Sequence, residues 1–327
     1  MIISRTPLRM SFVGGGSDLP AFYRKFGGAV VSTAINQFVY ITVNQKFDEK
    51  IRVSYARTEE ARSVDRIRHP LVREAMKLLV IDGGVEITSI ADIPAKGSGL
   101  GSSSSFTVGL LHALHAFTGR YAGAEQLARE ACEIEIDRCG EPIGKQDQYA
   151  AAFGGLNFIQ FHPDDAVSVE PILCQRETLR RLQDHTLVFY TGITRSASTI
   201  LQKQQTAVTT GKKKQKVLGR MVQLAHQLKG DLQANRVGSI GEIIHEGWLL
   251  KKSLTDGITT RFIDDCYARA RRAGAIGGKL LGAGAGGFLM FHAAPEKHDD
   301  IAGALGELRR MDFRFEPQGS RIIFVHH

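Results

Sequence analysis

The 327-residue sequence predicts an α+β fold built from two units. Strand-like runs and amphipathic helices are mixed without regular alternation, and strand-like runs lie at both ends of each half. The length also exceeds the roughly 100 to 200 residues of a typical single domain. The stretch 162–184, with Pro163 and Pro171, has no clear periodicity and predicts the junction. We therefore predict units at residues 1–175 and 185–327.

Hydrophobic periodicity predicts the elements of the first unit. Strand-like runs at 39–43 and 51–55 are predicted to pair with each other, and a third strand is predicted at 85–90. Apolar residues at helical spacing predict helices over 70–79, from the serines after Gly101 to Phe117, and over 124–137. The last of these helices would bury Leu127, Ala131 and Ile134.

In the second unit the sequence predicts strands at 187–190 and 288–291 and a closing strand at 321–325. Long helical patterns cover 217–228 and 261–273, and a glycine-rich segment covers 277–287. The closing strand is assigned to this second unit.

Composition limits the class of protein. We expect a cytoplasmic protein, since there is no apolar run of about 18 residues and the N-terminus lacks the order of a signal peptide. The four cysteines form no CxxC pair and are expected to be reduced thiols. The formal charge of +8 indicates an anionic partner. The basic run at 212–216 lacks interleaved aromatics, so it predicts a solvated loop and neither a nucleic-acid nor a membrane partner.

A glycine-rich loop between the predicted strand 85–90 and the following helix is the strongest local signal. Glycines let backbone N–H groups point inward, and the helix N-terminus adds partial positive charge, so the loop predicts a phosphate-binding cradle. A glycine turn with one serine N-cap is the alternative. The P-loop and dinucleotide-binding patterns do not match. The residues predicted to bind the phosphate are Lys96, Gly97, Ser98, Gly99, Leu100, Gly101, Ser102, Ser103 and Ser104.

Three segments, taken in order, resemble the three motifs of the GHMP kinases. They are residues 7–18 (PLRMSFVGGGSD), 94–105 (PAKGSGLGSSSS) and 278–287 (GKLLGAGAGG). The resemblance implies an N-terminal domain of the ribosomal protein S5 domain 2-like type and a C-terminal ferredoxin-like domain. It also implies ATP-dependent phosphorylation of a hydroxyl on a small molecule.

Within that family the segments 6–20, 144–149 and 191–196 are most similar to the bacterial D-glycero-D-manno-heptose 7-phosphate 1-kinases. This likeness implies phosphorylation of the anomeric C1 hydroxyl of the heptose phosphate. Another reducing sugar such as fucose is the alternative substrate, and a basic nucleic-acid-binding or sugar-sensing protein is the alternative class. A homodimer is compatible with the sequence.

The family motifs assign catalytic roles to two residues. Asp147 matches the catalytic aspartate, which orients the acceptor hydroxyl and accepts its proton. Arg9 occupies the position of the cation that pairs with it and offsets charge on the transferring group. Without the resemblance, Asp147 would be taken as a helix-capping residue.

The resemblance also implies a Mg²⁺ site. Glu135 stands at the same interval before Asp147 as the magnesium-binding glutamate of galactokinases, and Ser103 matches the serine that completes the site. Ser102 and Glu133 are the neighbouring alternatives. One carboxylate, one hydroxyl and ATP oxygens form a reasonable magnesium shell.

Substrate contacts are predicted in the first and third motifs and at Arg195. Asp18 would accept hydrogen bonds from sugar hydroxyls, or would cap the helix that begins near Pro20. Arg195 and Lys279 are hypotheses for the phosphate already present on the sugar. The glycines of the third motif are expected to buttress the phosphate loop and border the substrate. The remaining predicted contacts are Gly15, Gly16, Ser17 and Gly284.

Overall fold

Within residues 1–93, 97–194 and 197–326, which the computed structural model describes, the chain forms two β-sheets flanked by helices. The strands are β1 (Ile2–Val13), β2 (Gly28–Gln45), β3 (Ile51–Ser54), β4 (Thr58–Ala61), β5 (Val85–Ala91), β6 (Leu156–Phe161), β7 (Val167–Pro171), β8 (Thr186–Tyr190), β9 (Gly277–Leu280), β10 (Phe288–His292), β11 (Arg309–Arg310) and β12 (Arg321–Val325). The helices are α1 (Pro20–Phe26), α2 (Pro70–Leu79), α3 (Ser102–Phe117), α4 (Ala124–Cys132), α5 (Gln146–Phe153), α6 (Arg176–Asp184), α7 (Ala197–Thr210), α8 (Lys212–Gln233), α9 (Ile240–Lys252), α10 (Arg261–Arg272) and α11 (His298–Ala304).

The larger sheet is built around β2. Its order is β12-β1-β2-β5-β3-β4, and β6 and β7 join it at the first part of β2. The 18 residues of β2 let it pair with β6 over 28–33 and with β5 over 39–45. All residues from 6 to 13 in β1 are buried, because α3, α8 and α9 pack against β1. Both faces of β1 are covered over this part, so its polar residues Thr6, Arg9 and Ser11 are buried together with its apolar ones.

The smaller sheet has four antiparallel strands in the order β11-β8-β10-β9. Helix α9 packs against β9 and β10 on one side and against β1 of the larger sheet on the other. The end of α9 therefore lies between the two sheets, where the first and third glycine-rich motifs also meet.

One prediction about the first half needs correction. The strands predicted at 39–43 and 51–55 both exist, but they do not pair with each other. Strand β5 lies between them, antiparallel to β2 and parallel to β3. The order of strands in a sheet is set by long-range packing, and neighbours in sequence need not be neighbours in space.

Two further predictions concern the second half. The stretch 162–184 is more regular than predicted, because it contains β7, which pairs with β6, and α6. The closing strand 321–325 was assigned to the second unit, but β12 lies beside β1 in the larger sheet. The limits of the two units themselves stay a prediction.

No helix in the described part of the chain is long and apolar enough to cross a membrane.

Candidate active site

The glycine-rich loop joins β5 to α3, and its described part leads directly into the helix. Gly97, Gly99 and Gly101 all have positive φ angles, between 72° and 77°, which glycine adopts without steric cost. Gly101 is the N-cap residue of α3 and no side chain caps the helix, so the alternative of a serine N-cap is wrong. The first backbone N–H groups of α3 are therefore available to a ligand. Lys96 lies outside the described residues.

The third motif supports this loop from behind. A Cβ on Gly282 would lie 2.4 Å from the Cα of Gly99, and a Cβ on Gly287 would lie 2.3 Å from the carbonyl oxygen of Ser98. Only glycine permits the two backbones to approach this closely. Gly284 packs in the same way against the backbone of Ile258 and does not line the cavity.

Arg9 and Asp147 form a bidentate ion pair at the cavity wall. The guanidinium Nε and Nη2 atoms donate to the Asp147 carboxylate at 2.8 and 2.7 Å, and Nη1 donates to the carbonyl of Gly99 at 2.7 Å. The Arg9 side chain is 4% exposed, whereas Asp147 is 26% exposed and open to the cavity. Asp147 lies in the first turn of α5, where Lys145 is the N-cap residue, so it is not the capping residue.

The phosphate loop also contacts Glu135. Ser103 and Ser104 donate their hydroxyl hydrogens to its two carboxylate oxygens at 2.9 and 2.8 Å, and the side-chain amide of Gln148 donates at 2.6 Å. Burial raises the pKa of Glu135 to about 7, although these hydrogen bonds favour the charged form. Glu135 lies in a π-helical turn, Glu133–Arg138, that extends α4. Such turns are common at functional sites.

Side chains at this end of the cavity provide oxygen atoms, which are the ligands that Mg²⁺ prefers. No cluster of three or more His, Cys, Asp or Glu side chains occurs among the described residues, so an all-protein metal cage is absent there. Mg²⁺ usually takes one or two carboxylates and completes its shell with phosphate oxygens and water. The adjacent Glu135 carboxylate and Ser103 hydroxyl fit that requirement. The alternatives fit less well, because Glu133 pairs with Arg138 at 2.6 Å and the Ser102 hydroxyl contacts that of Ser98 at 2.9 Å.

Asp18 is buried beside Gln146 and lines the same cavity. Its carboxylate accepts hydrogen bonds from the backbone N–H of Gly16 at 2.9 Å and from the side-chain amide of Gln146 at 3.1 Å. Burial, together with the negative charge of Asp147, raises its pKa. No side chain caps α1, so Asp18 does not have the capping role considered above. Gly15 and Gly16 line the cavity beside it.

Three other predicted site residues lie behind the cavity wall. The Ser17 hydroxyl donates to the carbonyl of Ala29 at 3.1 Å, and the buried Leu100 accepts the backbone N–H of Arg9 at 3.0 Å through its carbonyl. Lys279 is also buried, and its ammonium group donates to the backbone carbonyl of Ser11 at 2.7 Å. Lys279 does not line the cavity, so the prediction that it holds the substrate phosphate is not supported by its position. Arg195 lies outside the described residues, and its role stays a prediction.

Sequence reasoning missed two buried polar residues that line the cavity. Lys251 continues the apolar face of α9, one turn after Trp248, and Gln204 lies on the buried face of α7 between Ile200 and Val208. Both side chains are buried, at 6% and 1% exposure. A polar residue at an apolar position of a helix is the signal that could have identified them.

These residues surround one cavity of about 500 Å³. The glycine loop provides donors for an anion, the Arg9–Asp147 pair provides a carboxylate beside a fixed cation, and Asp18 provides an acceptor for hydroxyl groups. An anion cradle beside a carboxylate that is open to the cavity is the arrangement that phosphoryl transfer to a hydroxyl requires. Fold and site together thus define a kinase for a small hydroxylated molecule.

Comparison with known proteins agrees with this class. The family models described as "GHMP kinases N terminal domain" and "GHMP kinases C terminal" match residues 67–155 and 228–311, together more than half of the chain. The chain belongs to the GHMP kinases, has their two-domain fold, and is an ATP-dependent sugar kinase.

Individual relatives show which kinases within the family are similar to this chain. The chain is 29% identical to a D-glycero-alpha-D-manno-heptose 7-phosphate kinase from Campylobacter jejuni, over 97% of both proteins. It is 26% identical to a bifunctional fucokinase/GDP-fucose pyrophosphorylase from Arabidopsis thaliana, over 94% of this chain and 31% of that protein. The crystal structure of a D-glycero-D-manno-heptose 1-phosphate kinase from Bacteroides thetaiotaomicron is similar with a TM-score of 0.81, at 27% identity and covering 100% of both chains.

Proposed function

We propose that the protein transfers the γ-phosphoryl group of ATP to the anomeric C1 hydroxyl of D-glycero-D-manno-heptose 7-phosphate. The product would be the 1,7-bisphosphate, a precursor for nucleotide-activated heptose. Similarity to the heptose kinases supports a heptose phosphate as substrate. The names of those two kinases place the phosphate differently, so the acceptor position in this chain is our inference from the sequence motifs.

One observation carries the proposal: Asp147 faces the cavity while Arg9 holds both its carboxylate oxygens and also the carbonyl of Gly99 in the phosphate loop. The same guanidinium therefore fixes the carboxylate relative to the loop on which we place ATP. A bidentate contact sets orientation as well as distance. An acceptor hydroxyl beside Asp147 would then be held close to the phosphoryl group.

The chemical step follows from this placement. The hydroxyl oxygen forms a new bond to the γ-phosphorus, the bond from that phosphorus to the β–γ bridging oxygen breaks, and ADP leaves. The hydroxyl proton passes to the Asp147 carboxylate. Ser103 and Glu135 would hold Mg²⁺, which when bound neutralises charge on the ATP phosphates.

Asp18, Gln146 and Gln204 form the proposed sugar subsite. Among the residues that the structure describes, the Gln204 side-chain nitrogen and the Gln146 side-chain oxygen are buried and have no hydrogen-bond partner. A buried amide without a partner is unfavourable, and the hydroxyl groups of a sugar can satisfy both donors and acceptors. We propose that these three side chains recognise the ring hydroxyls.

Phosphate transfer assays test the proposal directly. With ATP and Mg²⁺, we expect turnover on the heptose 7-phosphate and little on mannose, fucose or galactose. The product should carry an acid-labile phosphate at C1. Asp147→Asn should lower kcat by about 10²- to 10⁴-fold, the usual contribution of a positioned acid or base. Asp82→Asn, at an exposed position between α2 and β5, is the matched control and should retain full activity.

Turnover on fucose in place of the heptose phosphate would replace the proposed substrate. An unchanged kcat in the Asp147 variant would contradict its assigned role.

A further inference from the structure

Lys251 is a second cation at the catalytic centre. It lies in the last turn of α9 and lines the cavity with its side chain 6% exposed. Among the described residues, Arg9 is the other basic side chain that lines this cavity. The motifs that identified the rest of the site do not include α9.

Two backbone contacts fix the position of Lys251 relative to the phosphate loop. Its ammonium group donates a hydrogen bond to the carbonyl of Gly282. Gly282 touches Gly99, whose carbonyl accepts from Arg9 at 2.7 Å. The two cations are thus attached to adjoining turns of the third and second motifs, on the same side of the cavity as the predicted phosphate cradle.

The charges around Lys251 favour the binding of an anion there. Arg9 pairs with Asp147, but Lys251 and the neighbouring buried Lys279 appear in none of the ion pairs of the described residues. Burial and the positive charge of Arg9 lower the pKa of Lys251 to about 8, while Asp18 and Asp147 act in the opposite direction. Burial and the charge of Lys251 in turn lower the pKa of Lys279. Buried cations without a carboxylate partner are costly unless another anion compensates them.

We propose that the Lys251 ammonium group contacts the γ-phosphoryl group of ATP, together with Arg9, and neutralises charge on it during transfer. The inference rests on the proposed position of ATP on the glycine loop. Cations aimed at the transferring group act through electrostatic stabilisation in a site where water is excluded. The competing assignment, that Lys251 holds the phosphate already present on the sugar, is an outcome of the test.

Nucleotide binding tests the inference without any sugar. We would titrate AMPPNP and ADP, each with Mg²⁺, into the wild-type protein, Lys251→Met and Lys251→Arg. Lys251→Met should weaken AMPPNP binding about tenfold, the loss of one hydrogen bond to a charged group, and leave ADP binding unchanged. Lys251→Arg should restore most of the AMPPNP affinity, because the positive charge is kept. Lys252→Met is the matched control, since the neighbouring Lys252 pairs with Asp264 at 3.0 Å and lies outside the cavity.

The pH dependence gives a second test that needs no variant. Free Lys251 loses its proton above about pH 8. The affinity for AMPPNP relative to ADP should therefore fall between pH 8 and 9.5 in the wild-type protein and stay constant in Lys251→Arg. The charged groups around Lys251 are Arg9, Asp18, Asp147 and Lys279.

Three results would overturn the inference. Equal losses of AMPPNP and ADP affinity in Lys251→Met would indicate a structural role. Unchanged AMPPNP affinity in Lys251→Met would show that Lys251 does not contact the γ-phosphoryl group. If only the KM for the sugar phosphate rose, Lys251 would be reassigned to the substrate phosphate. If the heptose phosphate proved not to be the substrate, the nucleotide titrations would still decide the role of Lys251.

Discussion

Glu135→Gln is expected to stabilise the protein at alkaline pH while it removes the proposed magnesium ligand. Glu135 is 1% exposed, and burial raises its pKa from the ordinary 4.5 to about 7. In the absence of Mg²⁺ and nucleotide, the ionised form is therefore less favourable in the folded protein than in the unfolded chain. A glutamine has nearly the same shape and stays neutral, so it imitates the protonated glutamic acid.

The magnitude follows from proton linkage. The folded state holds the proton more tightly, so the stabilising effect of protonation is complete below pH 4.5 and is lost as the pH rises through about 7. The penalty for wild-type Glu135 relative to a neutral group is about 1 kcal/mol at pH 5 and about 3 kcal/mol at pH 8.5. The buried Gln148 side-chain oxygen has no hydrogen-bond partner in the described part of the chain, so a flipped Gln148 amide can accept from the new glutamine.

Urea unfolding with EDTA present measures this difference. The single tryptophan, Trp248, is 1% exposed and provides a fluorescence signal, and far-UV circular dichroism provides an independent one. We expect the advantage of Glu135→Gln over wild type to grow by about 2 kcal/mol between pH 5 and 8.5. Glu133→Gln removes a carboxylate two positions away whose side chain is 42% exposed, so it is the matched control for loss of one carboxylate from the same turn and should not reproduce this gain. A constant or shrinking difference for Glu135→Gln would refute the reasoning.

Two further predictions concern the sugar subsite and the contact between the glycine motifs. Gln204→Leu should raise the KM for the sugar phosphate about tenfold with little change in the KM for ATP, since it removes a buried donor from the proposed subsite. Steady-state kinetics measures both constants, and a parallel rise in the two KM values would contradict this prediction. Gly282→Ala should destabilise the protein by more than about 2 kcal/mol and weaken nucleotide binding, because the new Cβ would lie 2.4 Å from the Cα of Gly99. Thermal unfolding and AMPPNP titration check it against Gly219→Ala in the interior of α8. There an added Cβ would meet no described atom within 4 Å apart from the neighbouring backbone of its own helix, and a gain of about 0.5 to 1 kcal/mol is expected. Equal stability of the two variants would show that the approach of the two motifs is not tight.

Local sequence was sufficient for much of the secondary structure. The helix predicted over 70–79 is α2, the strand predicted at 85–90 is β5, and the helix after Gly101 begins at Ser102 and ends at Phe117. These elements have strong apolar periodicity and turn residues at their ends, which depend only on neighbours along the chain. Order within the sheet was not predictable in the same way, as the separation of β2 and β3 by β5 shows.

The candidate site, too, was predictable from local sequence only in part. The motifs predicted the residues of the glycine loop and the carboxylates to which we assign the chemistry, because a backbone with φ > 0 and a charged group at a fixed interval require particular residue types. Only the tertiary structure decided that Lys279 is turned away to the carbonyl of Ser11 and that Lys251 takes a place in the cavity. The sequence does not show where the ammonium group of a lysine lies, and the packing of α9 between the two sheets determines that Lys251 lines the cavity.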